Sequence, residues 1–157
     1  MKVKDPVQYM RRTKAYYEAQ GFDTPYQYAH FTDVPFAKPT KSLASSTLGL
    51  VTTASTYPRA PQEPRQVDTA PIKTDLKLYA GDLSWDKSAT HLDDRNSFCP
   101  IDSLQACVSE GKIGHLAPHV QCIPTEYSHR ATLEHDAPEV HQRLLADGVD
   151  VALLVPL

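Results

Sequence analysis

Apolar positions along this chain fall into helical and strand-like spacings that alternate. Near the end, Val149, Val151, Ala152, Leu153, Leu154 and Val155 form an almost continuous run rich in β-branched residues. Such a run predicts a strand buried on both faces, as in a parallel sheet. Just before it, Val140, Leu144 and Leu145 recur at helical spacing. Asp136 is placed to cap that helix, Pro138 suits its first turn, Glu139 complements the dipole, and Gly148 stops it. Helix, glycine and buried strand together make an αβ unit. Earlier, Leu48 to Val51 form the apolar centre of a strand over 45–55, and a further strand is expected near 119–123. Leu104, Cys107 and Val108 share one face of a helix from Pro100 to Glu110, with Gly111 as its stop. Leu76 and Leu78 alternate with polar neighbours in a short candidate strand ended by Gly81.

The stretches between these elements are of two kinds. A helix over 6–20, ended by Gly21, leads into an aromatic arm over 22–41 with Phe22, Tyr26, Tyr28, Phe31 and Phe36. Such an arm either wraps its own core or docks another chain, since Tyr and Phe are enriched at interfaces. Residues 57–71 are punctuated by Pro58, Pro61, Pro64 and Pro71. Proline fixes φ and removes a donor, so this reads as a connector and not as a core element. The fold class that follows is a three-layer α/β domain with a mainly parallel, Rossmann-like sheet over residues 1–157. It is expected to be incomplete at its C-terminus and completed by a partner chain.

Composition narrows the function classes. At 157 residues a single domain buries about 70% of its unfolded surface. A net charge of −3 with no basic block gives no support for nucleic-acid or anionic-membrane binding. The first residues lack the apolar core of a signal peptide, and no apolar run approaches a membrane span. Cys99, Cys107 and Cys122 are odd in number and lack CxxC spacing, which suits reduced thiols. The expected location is cytoplasmic.

Candidate chemistry sits in the polar loops. In open α/β sheets, ligands bind beyond the carboxyl ends of the strands. Thr52, Thr53 and Ser55 occupy that position after the first strand, where hydroxyls can hold a carboxylate or phosphate or simply continue the strand. The cluster over 82–102 contains His91 and Asp94, a candidate base with its orienting carboxylate. The bland alternative is a set of turn caps with an exposed histidine. In the loop over 124–130, Arg130 can clamp a substrate carboxylate with its planar fork, and Thr125 and Ser128 add shorter donors. The alternative there is a capped turn with a surface salt bridge. His115, His119 and Cys122 are zinc-ligand types, but H-x3-H converges only on a helix and Pro118 lies inside it. No metal is expected.

Several segments together resemble the glycine, sarcosine, betaine and D-proline reductases, specifically their B-type subunit bearing selenocysteine or cysteine. They are Leu50-Val51-Thr52-Thr53-Ala54, Thr90-His91, Phe98-Cys99-Pro100-Ile101-Asp102-Ser103-Leu104, and Glu110 to Pro118. Pro124-Thr125 with Ser128, and Asp147 to Asp150 with Leu153-Leu154-Val155-Pro156, complete the set. The resemblance covers about the first half of such a subunit. It implies reductive C–N cleavage of a small amino-acid-like substrate by a thiol or selenol that follows the last strand. That nucleophile, or a pyruvoyl group, would then lie on a second subunit carrying the C-terminal half, and this chain would hold no cofactor. In that reading His91, with Asp94 as its orienting carboxylate, is the candidate proton donor, and Thr52, Thr53, Thr125, Ser128 and Arg130 position the substrate. A non-catalytic subunit that stabilises its partner is the competing expectation.

Overall fold

The computed structural model describes residues 8–22, 24, 27–60, 63–80, 91–123, 125 and 128–157. The expected contributions of Pro6, Tyr26, Pro61, Gly81, of Asp82 to Thr90, and of Pro124 lie outside those residues. The chain divides into two compact units, Met1–Phe36 and Ala37–Leu157.

The first unit is built on helix α1 (Tyr9–Ala19). Its end is set by Gly21 at φ 84°, where the Phe22 and Gly21 amides donate to the Tyr17 and Glu18 carbonyls. The Tyr17 and Phe22 rings meet edge to face at 5.7 Å, the apolar contact that accompanies this kind of helix stop. Thr13 is the buried residue of the helix, its hydroxyl donating to the Tyr9 carbonyl. The aromatic side chains that follow, including Phe31 and Phe36, are exposed.

The second unit is a four-stranded sheet with helices on both faces. Its elements are β1 (Thr47–Thr52), β2 (Asp68–Pro71), α2 (Ile101–Ser109), β3 (His115–Cys122), α3 (His129–Ala131), α4 (Ala137–Ala146) and β4 (Val151–Val155). The sheet order is β2-β3-β1-β4. β3, β1 and β4 are parallel, and β2 runs antiparallel to β3. The fold is therefore α/β with an open, mostly parallel sheet.

Side-chain alternation sorts the sheet into two faces. Leu48, Leu50, Ala70, Val120 and Cys122 point into one core with Phe98, Ile101 and Leu104 from α2 and its approach. Val51 points the other way, with Val67, Val140, Leu144 and Ile123. α4 approaches β1 closely because Gly49 has no side chain. A Cβ there would come within 2.7 Å of Leu144 and 2.9 Å of Val149. α4 ends as α1 does, with Gly148 at φ 69° and the Val149 amide donating to the Leu144 carbonyl.

Four sequence expectations need correction. The segment before β4 was expected to lead into a strand covered on both faces, yet β4 is an edge strand with alternating exposure. α4 lies over β1 and β3, which leaves Ala152 and Leu154 open on that face, Leu154 being 69% exposed. The 57–71 connector contributes core strand β2, because Pro71 sits at an outer strand, where a missing donor is tolerated. Residues 76–80 form no strand. Tyr79 makes one isolated bridge to Ser55, with N···O distances of 2.7 and 2.8 Å. Finally, Asp136 is not a cap. Helix begins at His129 and passes through a π-helical turn (Thr132–Asp136) into α4. Pro138 supplies no amide for the preceding turn, and the wider turn closes instead through the Ala137 amide on the Thr132 carbonyl.

Candidate functional site

The three parallel strands end together. Thr52 lies beside Cys122 on one side and Val155 on the other, so the carboxyl edge of the sheet gathers residues from three separate parts of the chain. Thr52 is buried there, and its hydroxyl donates to the Phe98 carbonyl at 2.8 Å. That bond anchors the turn that enters α2. Thr53, half-buried, accepts from the Leu157 amide at 2.7 Å, tying the exit of β1 to the residues after β4. Ser55 is also buried, its hydroxyl donating to the Tyr57 carbonyl at 2.7 Å.

The other proposed substrate contacts follow β3 in the chain. Thr125 is exposed. Ser128 caps α3, its hydroxyl accepting from the Ala131 amide at 3.1 Å. The Arg130 side chain is 81% exposed and lies 3.5 Å from Glu134, one turn on. An exposed i,i+4 pair of this kind is worth about 0.3–0.5 kcal/mol, so it leaves the guanidinium able to turn toward a ligand.

His91 and Asp94 are not paired with each other. His91 is exposed, and its Nδ1 lies 3.3 Å from the Asp93 amide and 3.5 Å from the Asp93 carboxylate. Asp94 accepts from the Asn96 amide at 3.1 Å and caps the short 3-10 turn Arg95–Ser97. The turn needs an acceptor at that position, which draws the Asp94 carboxylate away from the histidine. Arg95 then fixes the turn, donating to Asp102 at 2.6 Å and to the Thr74 carbonyl. The structure thus brings Thr52 and Thr53 to one edge, beside Cys122, Val155 and Leu157. The His91 loop is connected to that edge through Phe98.

Two thiols sit under the same edge. Cys99 and Cys122 are fully buried and belong to one cluster. Burial pushes the Cys99 thiol up to about 11, against the lowering effect of Arg95. Burial pushes Cys122 up to about 12, with Cys99 and Asp68 adding to the rise. Both are neutral small hydrophobes at neutral pH and poor nucleophiles. The zinc ligand types on β3 do not converge: on an extended strand His119 and Cys122 point to opposite faces. Among the described residues no group of His, Cys, Asp or Glu is arranged to hold a metal ion.

Three polar arrangements escaped the sequence reading. Arg59 donates to Ser55 at 3.3 Å, to the Pro64 and Gln66 carbonyls at 3.3 and 3.2 Å, and to Asp68 at 2.6 Å. Thr56 and Gln66 complete the shell around Asp68 at 3.2 and 3.1 Å, and the Tyr57 ring covers Arg59 at 4.9 Å. This network closes the proline-rich connector onto the carboxyl edge. On the α4 face, His119 Nδ1 meets both carboxylate oxygens of Asp147 at 3.0 and 3.1 Å. Beside it, Arg143 donates to the Thr69 hydroxyl, which donates to Gln121 Oε1 at 2.7 Å. Because Arg143 can only donate, the order of donors is fixed, and Gln121 is left with a buried Nε2 lacking a partner. The His119–Asp147 and Arg143–Thr69–Gln121 contacts join residues 28 or more positions apart, and local spacing gave no signal for them. A separate open groove of about 540 Å³ lies at the opposite end of β3, between Ile72, Gln105, Val108, Leu116 and Pro118.

No protein-family model, curated protein or solved structure matches this chain. Among the described residues, no helix is long and apolar enough to cross a membrane.

Proposed function

We propose that this chain is one subunit of an enzyme like the glycine, sarcosine, betaine and D-proline reductases. In this reading it binds a small amino-acid-like substrate at the carboxyl edge of its parallel strands, and a partner subunit supplies the thiol or selenol. The observation that supports it is the common ending of β1, β3 and β4, with Thr53 just beyond β1 tied to Leu157 and the Ser128-capped helix start following β3 in the chain. Small hydroxyls and a helix N-terminus suit a carboxylate, and Arg130 is long and exposed enough to join them. The buried state of Cys99 and Cys122 favours a nucleophile from outside this chain. In the reaction, the partner's sulfur or selenium attacks the carbon bearing nitrogen, the C–N bond electrons leave with the amine, and an acid supplies its proton. A dithiol then reduces the resulting carbon–sulfur or carbon–selenium bond, becoming a disulfide as the product and the partner's thiol or selenol are released. His91 is the proton donor in this scheme, oriented by Asp93.

The same contacts favour a second reading. Thr52 and Ser55 use their hydroxyls internally, as a subunit that only stabilises a catalytic partner would do. Co-purification with the partner, followed by assay in the presence of a dithiol for amine release from glycine, sarcosine and betaine and for ring opening of D-proline, separates the two. His91→Ala should lower kcat by about 100-fold or more, and Arg130→Lys should raise KM, since lysine lacks the planar fork. Both variants matching the parent, in a complex that turns over, would leave the stabilising role.

A further inference from the structure

The carboxylate of Asp68 sits in a shell whose cation is held in place without it. Arg59 Nε donates to the Ser55 hydroxyl at 3.3 Å, and its terminal nitrogens donate to the Pro64 and Gln66 carbonyls at 3.3 and 3.2 Å. The Tyr57 ring covers the guanidinium at 4.9 Å. These neutral groups orient the planar fork independently of any counter-charge. Asp68 then fills the fork with both of its oxygens. One accepts from Arg59 at 2.6 Å and from the Thr56 hydroxyl at 3.2 Å, and the other accepts from the Gln66 carboxamide at 3.1 Å. A guanidinium, a hydroxyl and an amide converging on two oxygens suit a small carboxylate. The Arg59 and Asp68 side chains are only 12% and 10% exposed, so these bonds act in a medium less polar than water. The backbone of Asp68 is held separately, in register with Cys122 on β3.

We propose that this shell is a monocarboxylate-binding site, kept filled by the chain's own Asp68, and that its occupancy latches the proline-rich connector to the carboxyl edge. In the parent the occupant is tethered, so a free carboxylate competes against a far higher effective concentration and does not enter. Asp68→Ala separates the occupant from the strand. It removes only the carboxylate, leaves the β carbon and the register of β2 in place, and keeps the Arg59 fork on its three neutral acceptors. Formate has the charge and the two oxygens that the variant lacks, and it is small enough to occupy the space the carboxylate leaves. None of this rests on the reductase reading, since Arg59 and Asp68 are not among its substrate or proton-transfer residues.

The test is thermal unfolding of the whole chain, parent and Asp68→Ala, titrated with sodium formate against sodium chloride at equal ionic strength. Formate should stabilise Asp68→Ala saturably, raising its melting temperature by about 3–6 °C at ten times the dissociation constant. The parent should respond to the two salts alike. Asp68→Asn is the control for shape: its carboxamide still fills the shell, so it should gain nothing from formate beyond the chloride response. Arg59→Gln, added to Asp68→Ala, should abolish the formate response. Hydrogen exchange over β2 reads the latch itself. It should speed up in Asp68→Ala and slow again with formate, because the bound carboxylate is what closes the connector. An Asp68→Ala chain that responds equally to formate and chloride, or that stays unfolded in both, would overturn the proposal. So would a formate response that survives loss of Arg59, or one that leaves exchange over β2 unchanged. Failure here would leave catalysis with a thiol-bearing partner untouched, because no activity is measured.

Discussion

At the scale of single residues, burial decides what the cysteines can do. Cys99 and Cys122 have thiol pKa values raised to about 11 and about 12, chiefly by loss of water. Their folded-state values exceed those of the unfolded chain. The stability they contribute is whole below the ordinary thiol range, near 8.5, and is lost as pH rises toward the folded values. Two outcomes follow for the native protein at mildly alkaline pH. Iodoacetamide should add at most one label, at half-buried Cys107, while denaturant should expose all three cysteines, as intact mass would show. Stability should then fall with pH above the ordinary thiol range, more in the parent than in Cys122→Ala. Rapid native labelling of Cys99 or Cys122 would mean that the carboxyl edge opens readily. Asp150 has the opposite sign. Its pKa is lowered by the Lys41 side chain and then by the Thr47 amide, so its contribution is present above the ordinary carboxylate value of about 3.9 and is lost as pH falls through its own. Asp150→Asn should therefore flatten the acid side of a melting-temperature profile. Sequence showed that the cysteines were small and lacked CxxC spacing. It could not show which were buried, because that depends on Phe98 and Thr52 meeting across a separation of 46 residues.

Among the elements, those with a strong local signal were legible and those defined by distant partners were not. β1, α2, β3 and the α4–β4 unit carry runs of apolar spacing, and the two helices are closed by Gly111 and Gly148. β2 was hidden because its four residues lie inside a proline-rich stretch and are held by β3, more than 40 residues away. The His91–Asp94 pairing failed for a local reason, the demand of a 3-10 turn for an acceptor. The early start of the last helix failed because a π turn can absorb Pro138, which a regular helix would not. Packing between elements gives two firm expectations. Gly49→Val should destabilise the second unit by about 1–3 kcal/mol through overpacking against Leu144 and Val149, read as a lower denaturant midpoint at unchanged slope. Asp68→Ala should cost more, about 3–5 kcal/mol, because it leaves the nearly buried Arg59 without its counter-charge. Replacing Arg59 and Asp68 together by apolar residues should cost less than Asp68→Ala alone. A double variant as damaging as the sum of the singles would show that the ion pair itself is not what the connector needs.

Across the whole molecule, the two units should differ in how they open. In the second unit β1 is paired on both sides, Leu50 and Val51 are buried on opposite faces, and the strand holds residues from three chain segments in register. Its amides can exchange with solvent only when the sheet comes apart, so their protection should equal the global stability of the unit. Among the described residues the first unit has no such lattice. α1 is 11 residues long, its described core is Thr13 with one edge-to-face aromatic pair at its end, and Tyr9, Met10 and Tyr16 are exposed. Isolated helices shorter than about 12–15 residues are marginal in water, so the amides of α1 should exchange by local unwinding, long before those of β1. Hydrogen exchange read by mass spectrometry would check this directly. Peptides covering Tyr9–Ala19 should be largely exchanged while those covering Thr47–Thr52 and His115–Cys122 remain protected. Gly49→Val should then speed exchange in the strands and leave α1 unchanged, because local unwinding of α1 breaks only its own backbone hydrogen bonds. Protection of α1 equal to that of β1 would mean that its exposed aromatic face is covered in solution, and would make that face the next surface to probe by substitution at Met10 and Phe22.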